Sequence, residues 1–326
     1  MERPPESRAL AVHRALPGYA PTPLVSCSHT AAALGVATVL AKDESLRFGL
    51  PAFKMLGVTY AARAAVEAAG PGAQTLVAAT DGNHGRALAR VAAELGLAAR
   101  IHVPRGLDPG RVAAIAAEGA EVVVEDGSYD DAVRASGASL GVGDVLVSDT
   151  AWKGYEEIPR LVVEGYRTLF VEVAEAALAT PTHVVIQAGV GGLAAAAVLE
   201  FATSPARLVT VEAIDADCVL ASLVAGAPVT VPGPHRSRME GLNAGEVSLV
   251  AWPLLRARVD AALAISDDPL ARGEALLRAD GLDPGPCGAA GVAALGALDV
   301  AQRETIGLGP ASVVLTVVTE GRAAVG

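Results

Sequence analysis

The chain has 326 residues, 52% hydrophobic and 19% charged, a length that exceeds the usual single-core domain and points to two lobes. Its formal net charge of −11 argues against nucleic-acid or anionic-membrane partners, so an anionic ligand would need a local pocket. Aromatic residues make up only 3%, which leaves Ala, Val and Leu to fill the core.

In chain order, MERPPESRAL opens without an apolar signal core, so no secretory leader is expected. Short β-branched runs then alternate with longer Ala/Leu/Arg segments of helical period. They predict strand 36–44, helix 52–69, strand 75–80, helix 84–96, strand 99–104, helix 110–118, strand 120–126, helix 129–139 and strand 145–150. Helix 158–179, strand 183–189, helix 192–203, strands 207–214 and 261–266, helices 268–278 and 288–303, and strand 312–318 follow. Near-continuous apolar strands separated by helices predict an α/β protein with mostly parallel sheets and helices on both faces. In such sheets, ligands bind where loops leave the carboxyl ends of strands. The uncharged run between His183 and Glu200 contains Gln187 and three glycines and is too short to span a bilayer. The three cysteines, Cys27, Cys218 and Cys287, are scattered without zinc-ligand spacing, which suits a reducing cytoplasm. The six histidines form no HExxH pair, so no metal is expected.

Four strand ends and one helix start carry the chemistry-bearing residues. Thr80-Asp81-Gly82-Asn83-His84-Gly85 joins a strand to an Ala/Arg-rich helix, where free N–H groups favour an anion; a plain helix cap is the alternative. Gly189-Val190-Gly191-Gly192-Leu193-Ala194 opens another helix with glycine spacing that admits a phosphate. The same run reads as G-x-G-x-x-A, and Glu212 ends the next strand where a dinucleotide's ribose would need an acid. Asp149, in Ser148-Asp149-Thr150-Ala151-Trp152, is a candidate general base or a turn residue. Thr319, in Val318-Thr319-Glu320-Gly321, offers a hydroxyl for a heterocyclic nitrogen or belongs to a simple turn.

Lys54, in RFGLPAFKMLG (47–57), is one of only three lysines, with Lys42 and Lys153, among 25 basic residues. A snorkelling surface lysine is one reading. Lysine also does what arginine cannot: it loses a proton when desolvated and forms Schiff bases. A lysine, a phosphate cradle, an asparagine loop and a strand-end hydroxyl together make the inventory for pyridoxal 5'-phosphate. A nicotinamide-dependent oxidoreductase would leave Lys54 and the asparagine loop idle.

RFGLPAFKMLG, TDGNHGRALA, SDTAWKGYEEIP, QAGVGGLAAA, MEGLNAGE and VVTEG occur in this order. Over about residues 17–321 the chain resembles the diaminopropionate ammonia-lyase family, among the tryptophan-synthase-β-like, fold type II pyridoxal phosphate enzymes. The resemblance implies two α/β domains, a larger one from 1–60 and 151–326 and a smaller one from 61–150, with the cofactor between them and usually a homodimer. It implies that Lys54 is the Schiff-base lysine, preceded by Phe53 at the cofactor, and that Asn83 meets the pyridoxal hydroxyl. Gly189, Val190, Gly191, Gly192 and Leu193 would then bind the phosphate and Thr319 the ring nitrogen. Asp81 and Asp149 would be catalytic, and Thr80, Asp81, Gly82, His84 and Asp149 would face the substrate. The implied reaction is elimination of ammonia from 2,3-diaminopropionate to give pyruvate. Elimination or β-replacement on another β-substituted amino acid is the neighbouring possibility. The chain departs from the family pattern at Pro51, at Pro286-Cys287, where a Glu-Ser pair is usual, and at Arg322.

Overall fold

The computed structural model describes residues 7–80 and 82–322. Its strands are β1 (Leu24–Ser26), β2 (Thr38–Asp43), β3 (Thr75–Ala79), β4 (Ala98–Pro104), β5 (Glu121–Glu125), β6 (Asp144–Leu146), β7 (His183–Gln187), β8 (Arg207–Ala213), β9 (Ala261–Ile265) and β10 (Val313–Val318). The helices up to the chain's middle are α1 (Arg8–Arg14), α2 (Ser28–Leu34), α3 (Lys54–Ala69), α4 (Asn83–Leu95), α5 (Pro109–Ala117), α6 (Tyr129–Ala138) and α7 (Glu157–Ala176). They continue with α8 (Gly192–Glu200), α9 (Cys218–Ala225), α10 (Trp252–Arg258), α11 (Leu270–Ala279), α12 (Pro286–Ala297) and α13 (Val300–Thr305). The strand predicted over 145–150 is shorter in the structure, where β6 ends at Leu146. Helix 288–303 is interrupted, because Leu298 turns to extended backbone and Asp299 caps a new helix with Gln302. Periodicity gave no signal for β1, α1, α2, α9 or α10, which have three to eight residues each.

Two sheets organise these elements. One runs β1-β2-β10-β7-β8-β9, with β1 antiparallel and the others parallel; the second, β5-β4-β3-β6, is wholly parallel. Side chains alternate between the faces of a strand, and β10 shows the result. Leu315 and Val317 join the core under α3, α7 and α8, whereas Val314 and Val318 join the one under α2, α11 and α12. Double-sided burial explains why these strands are apolar throughout.

The chain approaches Lys54 through a tight turn. Arg47 and Leu50 exchange both backbone hydrogen bonds, and the two residues between them, Phe48 and Gly49, have φ of 52° and 79°. Glycine accepts such a backbone readily, whereas Phe48 is strained there. Arg47 holds the turn down: its buried guanidinium reaches Glu44 at 2.5 Å and Glu172 of α7 at 2.8 Å. Helix α3 then crosses α7 at very close range. A Cβ on Gly165 would lie 2.6 Å from the Leu56 carbonyl, and one on Gly57 would lie 2.4 Å from the Tyr166 ring. Among the described residues, no helix is long and apolar enough to cross a membrane.

Candidate active site

Helix α3 begins at Lys54 itself, so the first turn of the helix carries the lysine into a cavity at the carboxyl ends of both sheets. The cavity encloses about 740 Å³, part of it open to solvent, and Lys54, Asn83, Asp149, the 189–193 loop and Thr319 all line it. Phe53 forms one wall, its ring 4.7 Å from that of Tyr166. The amine does not rest among apolar groups alone, as its neighbours Phe53 and Met55 suggest. Its Nζ donates to Asp149 Oδ2 at 2.6 Å, and the Tyr129 hydroxyl donates to Asp149 Oδ1 at 3.0 Å.

Asp149 follows β6, and its side chain is buried. Burial pushes its pKa up, but the Lys54 charge, then His84 and the hydrogen bonds, outweigh that and hold it well below the ordinary value. His84 lies behind the carboxylate, not in the cavity. Its Nε2–H donates to the Val147 carbonyl at 2.7 Å, and its Nδ1 is 3.7 Å from Asp149 Oδ2. Complete burial lowers the pKa of this imidazole despite the adjacent carboxylate.

Thr80 and Gly82 likewise do not line the cavity. Thr80 Oγ1 accepts from the N–H groups of Gly82 (2.9 Å) and Gly85 (3.1 Å), pinning the loop that presents Asn83. Gly82 takes φ of 142°, a backbone that favours glycine. Asp81 lies outside the described residues. Asn83 opens α4, and its Nδ2 donates to Glu320 Oε2 at 2.6 Å.

The glycine loop runs from β7 into α8 through Gly191, with φ of 91°. A Cβ on Gly189 would lie 3.1 Å from the Gly241 carbonyl, and one on Gly191 would lie 2.8 Å from Leu255. Hence bare backbone must form this part of the wall. Gln187, at the end of β7, sends Nε2 to the carbonyls of Cys287 (2.6 Å) and Val317 (2.9 Å) and to Thr319 Oγ1 (3.1 Å). Its Oε1 is buried with no hydrogen-bond partner among the described residues.

The dinucleotide reading fails at its acid. Glu212 accepts from the N–H groups of Val219 (2.7 Å) and Leu220 (2.8 Å) and so caps α9. Burial raises its pKa to about 8, and nothing directs it at a ribose. Tyr129, Gln187 and Tyr166 line the cavity but carried no sequence signal, because nothing local distinguishes them from core residues. Glu320 stood in the VVTEG segment, beside the residue that drew notice. Cys287, at the family departure, also reaches the wall.

A family profile described as pyridoxal-phosphate dependent enzyme matches residues 15–320. The diaminopropionate ammonia-lyase of Escherichia coli (strain K12) is 39% identical over 95% of this chain and 86% of its own. That of Salmonella typhimurium is 38% identical over 81% of this chain and 73% of its own. The solved E. coli diaminopropionate ammonia lyase in complex with D-serine superposes with a TM-score of 0.89 at 35% identity, covering 97% of this chain and 88% of that one.

Proposed function

This chain belongs to the pyridoxal-phosphate dependent enzymes, and from that premise we propose that it is an ammonia-lyase acting on 2,3-diaminopropionate. With water, the substrate gives pyruvate and two molecules of ammonia. The observation that carries this reading is the Lys54–Asp149 pair, 2.6 Å apart in the same cavity as the glycine loop.

The residues present fit the cofactor. The backbone N–H groups at the start of α8 suit a phosphate, and the close packing of Gly189 on Gly241 and of Gly191 on Leu255 keeps side chains off this loop. Gly189, Val190, Gly191, Gly192 and Leu193 would hold that phosphate, Thr319 would meet the ring nitrogen and Asn83 the phenolic oxygen, and Phe53 lines the same cavity. Since Gln187 donates to Thr319 Oγ1, the threonine's own hydrogen is left to donate elsewhere. When bound, the cofactor would supply a carbon that Lys54 holds and gives up in exchange for the substrate's α-amine, and a ring that accepts the electron pair left by the Cα proton.

The protein's own groups handle the protons. Asp149, steadied by Tyr129 on one oxygen and by Lys54 on the other, exchanges a proton with the amine. Lys54, Asp149 or Asp81 takes the Cα proton, and the β-ammonium then departs as ammonia with no further proton needed. A carboxylate in the wall also offsets the charge of a substrate bearing a second ammonium. The two lobes comprise 1–60 with 151–326, and 61–150; β3–β6, which pair among themselves, support this division. We place the enzyme in the cytoplasm, where three buried free cysteines would stay reduced, and assign it a homodimeric state.

The test is spectral and chemical. The purified chain with added cofactor should absorb in the visible, Lys54→Ala should abolish that band, and 2,3-diaminopropionate should release pyruvate. A protein that stays colourless, or one that is coloured but releases no pyruvate, overturns the reading.

A further inference from the structure

The polar network that begins at Asn83 runs along the cavity wall to Glu320 and then behind it to Arg111. Glu320 Oε2 accepts from Asn83 at 2.6 Å, and Glu320 Oε1 accepts from the Cys287 N–H at 3.3 Å. Behind Glu320 stands Arg111 of α5, its Nη2 3.9 Å away and its Nε 2.5 Å from Glu240 Oε2. The Arg111 side chain is 2% exposed, so it is desolvated and held between these carboxylates. Helix α5 packs on the four-stranded sheet beside β5 and α4. Glu320 follows β10 of the six-stranded sheet, and Glu240 begins a short 3-10 turn that packs against α12. One guanidinium therefore bridges the two sheet layers across the cleft. It also passes against the asparagine loop, since a Cβ on Gly82 would lie 2.8 Å from Arg111 Nη1.

We propose that Arg111 is a positioning residue that acts through Glu320 to orient Asn83 for the cofactor. The Asn83 side chain can present either its amino or its carbonyl end. A carboxylate at Glu320 selects the amino end, and Nδ2 spends one hydrogen there. The second hydrogen of the same nitrogen remains for an acceptor in the cavity, whereas a turned amide would offer its own oxygen and repel an anionic phenolic oxygen. Arg111 keeps Glu320 in place by drawing it, with Glu240, towards α5. This inference rests on the cofactor reading above and extends it to residues outside the cavity's reactive centre.

Two readouts separate this role from a general structural one. The first titrates the cofactor-free chain with pyridoxal 5'-phosphate, following both affinity and the ratio of visible to near-ultraviolet absorption. Arg111→Gln and Glu320→Gln should each weaken uptake about tenfold and shift absorption towards the near-ultraviolet. Glu240→Gln, a milder change at a one-third-exposed side chain, should shift both in the same direction by about threefold, and Arg111→Lys should recover part of the loss. The second readout is hydrogen exchange on the cofactor-free chain, where Arg111→Gln should speed exchange in both 82–86 and 238–243. Wild-type affinity and absorption ratio in Arg111→Gln and Glu240→Gln would overturn the positioning role while leaving the cofactor reading intact. Faster exchange confined to α5 would overturn it equally. A wild-type chain that takes up no cofactor would bring down the cofactor reading, and the positioning role with it.

Discussion

At Asp149, burial and charge pull in opposite directions. Burial would favour a neutral acid, but the Lys54 charge at 2.6 Å keeps the carboxylate ionised across the neutral range. Tyr129 fixes the other oxygen. Asp149→Asn keeps the shape of this group and removes its ability to take a proton. Pyruvate release should fall by roughly 10²–10⁴-fold, the range typical of a lost general acid–base group. Activity within threefold of wild type would remove Asp149 from the proposed chemistry. The identity of the residue was legible from its place at a strand end, but its partners were not. Lys54 is 95 positions away, and only the fold brings the two side chains together.

Among the elements, α3 and α7 matter most, because their crossing aims Lys54. Gly165→Ala would drive a methyl towards the Leu56 carbonyl, 2.6 Å from the ideal Cβ, and backbone cannot swing aside as a side chain can. Overpacking of this kind destabilises by about 1–3 kcal/mol, and a urea unfolding midpoint should fall accordingly. Helix α1 docks on the same pair through His13. Its Nε2–H donates to the Leu56 carbonyl at 2.9 Å, so in the neutral ring Nδ1 accepts from the Thr168 hydroxyl at 2.8 Å. Burial, the largest influence, brings the His13 pKa down to about 4 from 6.5. The unfolded chain therefore binds the proton first, and stability is lost as pH falls from 6.5 towards 4. The loss is on the order of 3 kcal/mol. His13→Gln should flatten this part of the stability–pH curve, and an unchanged slope would refute the assignment. Short helices such as α1 escaped the sequence reading because seven residues hold fewer than two full turns, too few for a period to emerge.

At the scale of the whole molecule, a buried ionic network joins parts that the sequence keeps far apart. Lys42 of β2 reaches Glu172 of α7 at 2.6 Å, and Arg47 links Glu172 to Glu44 and to the Thr22 hydroxyl. All four charged side chains are at most 1% exposed. Glu172→Gln would leave Lys42 and Arg47 short of their shared counter-charge. Breaking one partner out of a buried set typically costs about 3–5 kcal/mol. The variant should unfold at markedly lower denaturant, and an unshifted midpoint would show that the network relaxes freely. The same network pins the turn at Phe48 and Gly49 that leads into Lys54, so it ties overall packing to the placement of the site.

Local pattern was enough to indicate the fold class and to single out Lys54, the glycine loop, the asparagine loop and the strand-end residues as candidates. Apolar runs make buried parallel strands, and glycines after strands open backbone to an anion. What each of these residues touches came from the packing of the two sheets and their helices. It turned His84 and Thr80 away from the cavity, gave Glu212 to the start of α9, and set Glu320 and Arg111 behind Asn83. The physical reason is range. Propensity and period act over a few residues, whereas a hydrogen bond or ion pair forms wherever the fold brings donor and acceptor within about 3 Å. That closeness is a property of packed sheets and crossing helices, and no short stretch of sequence encodes it.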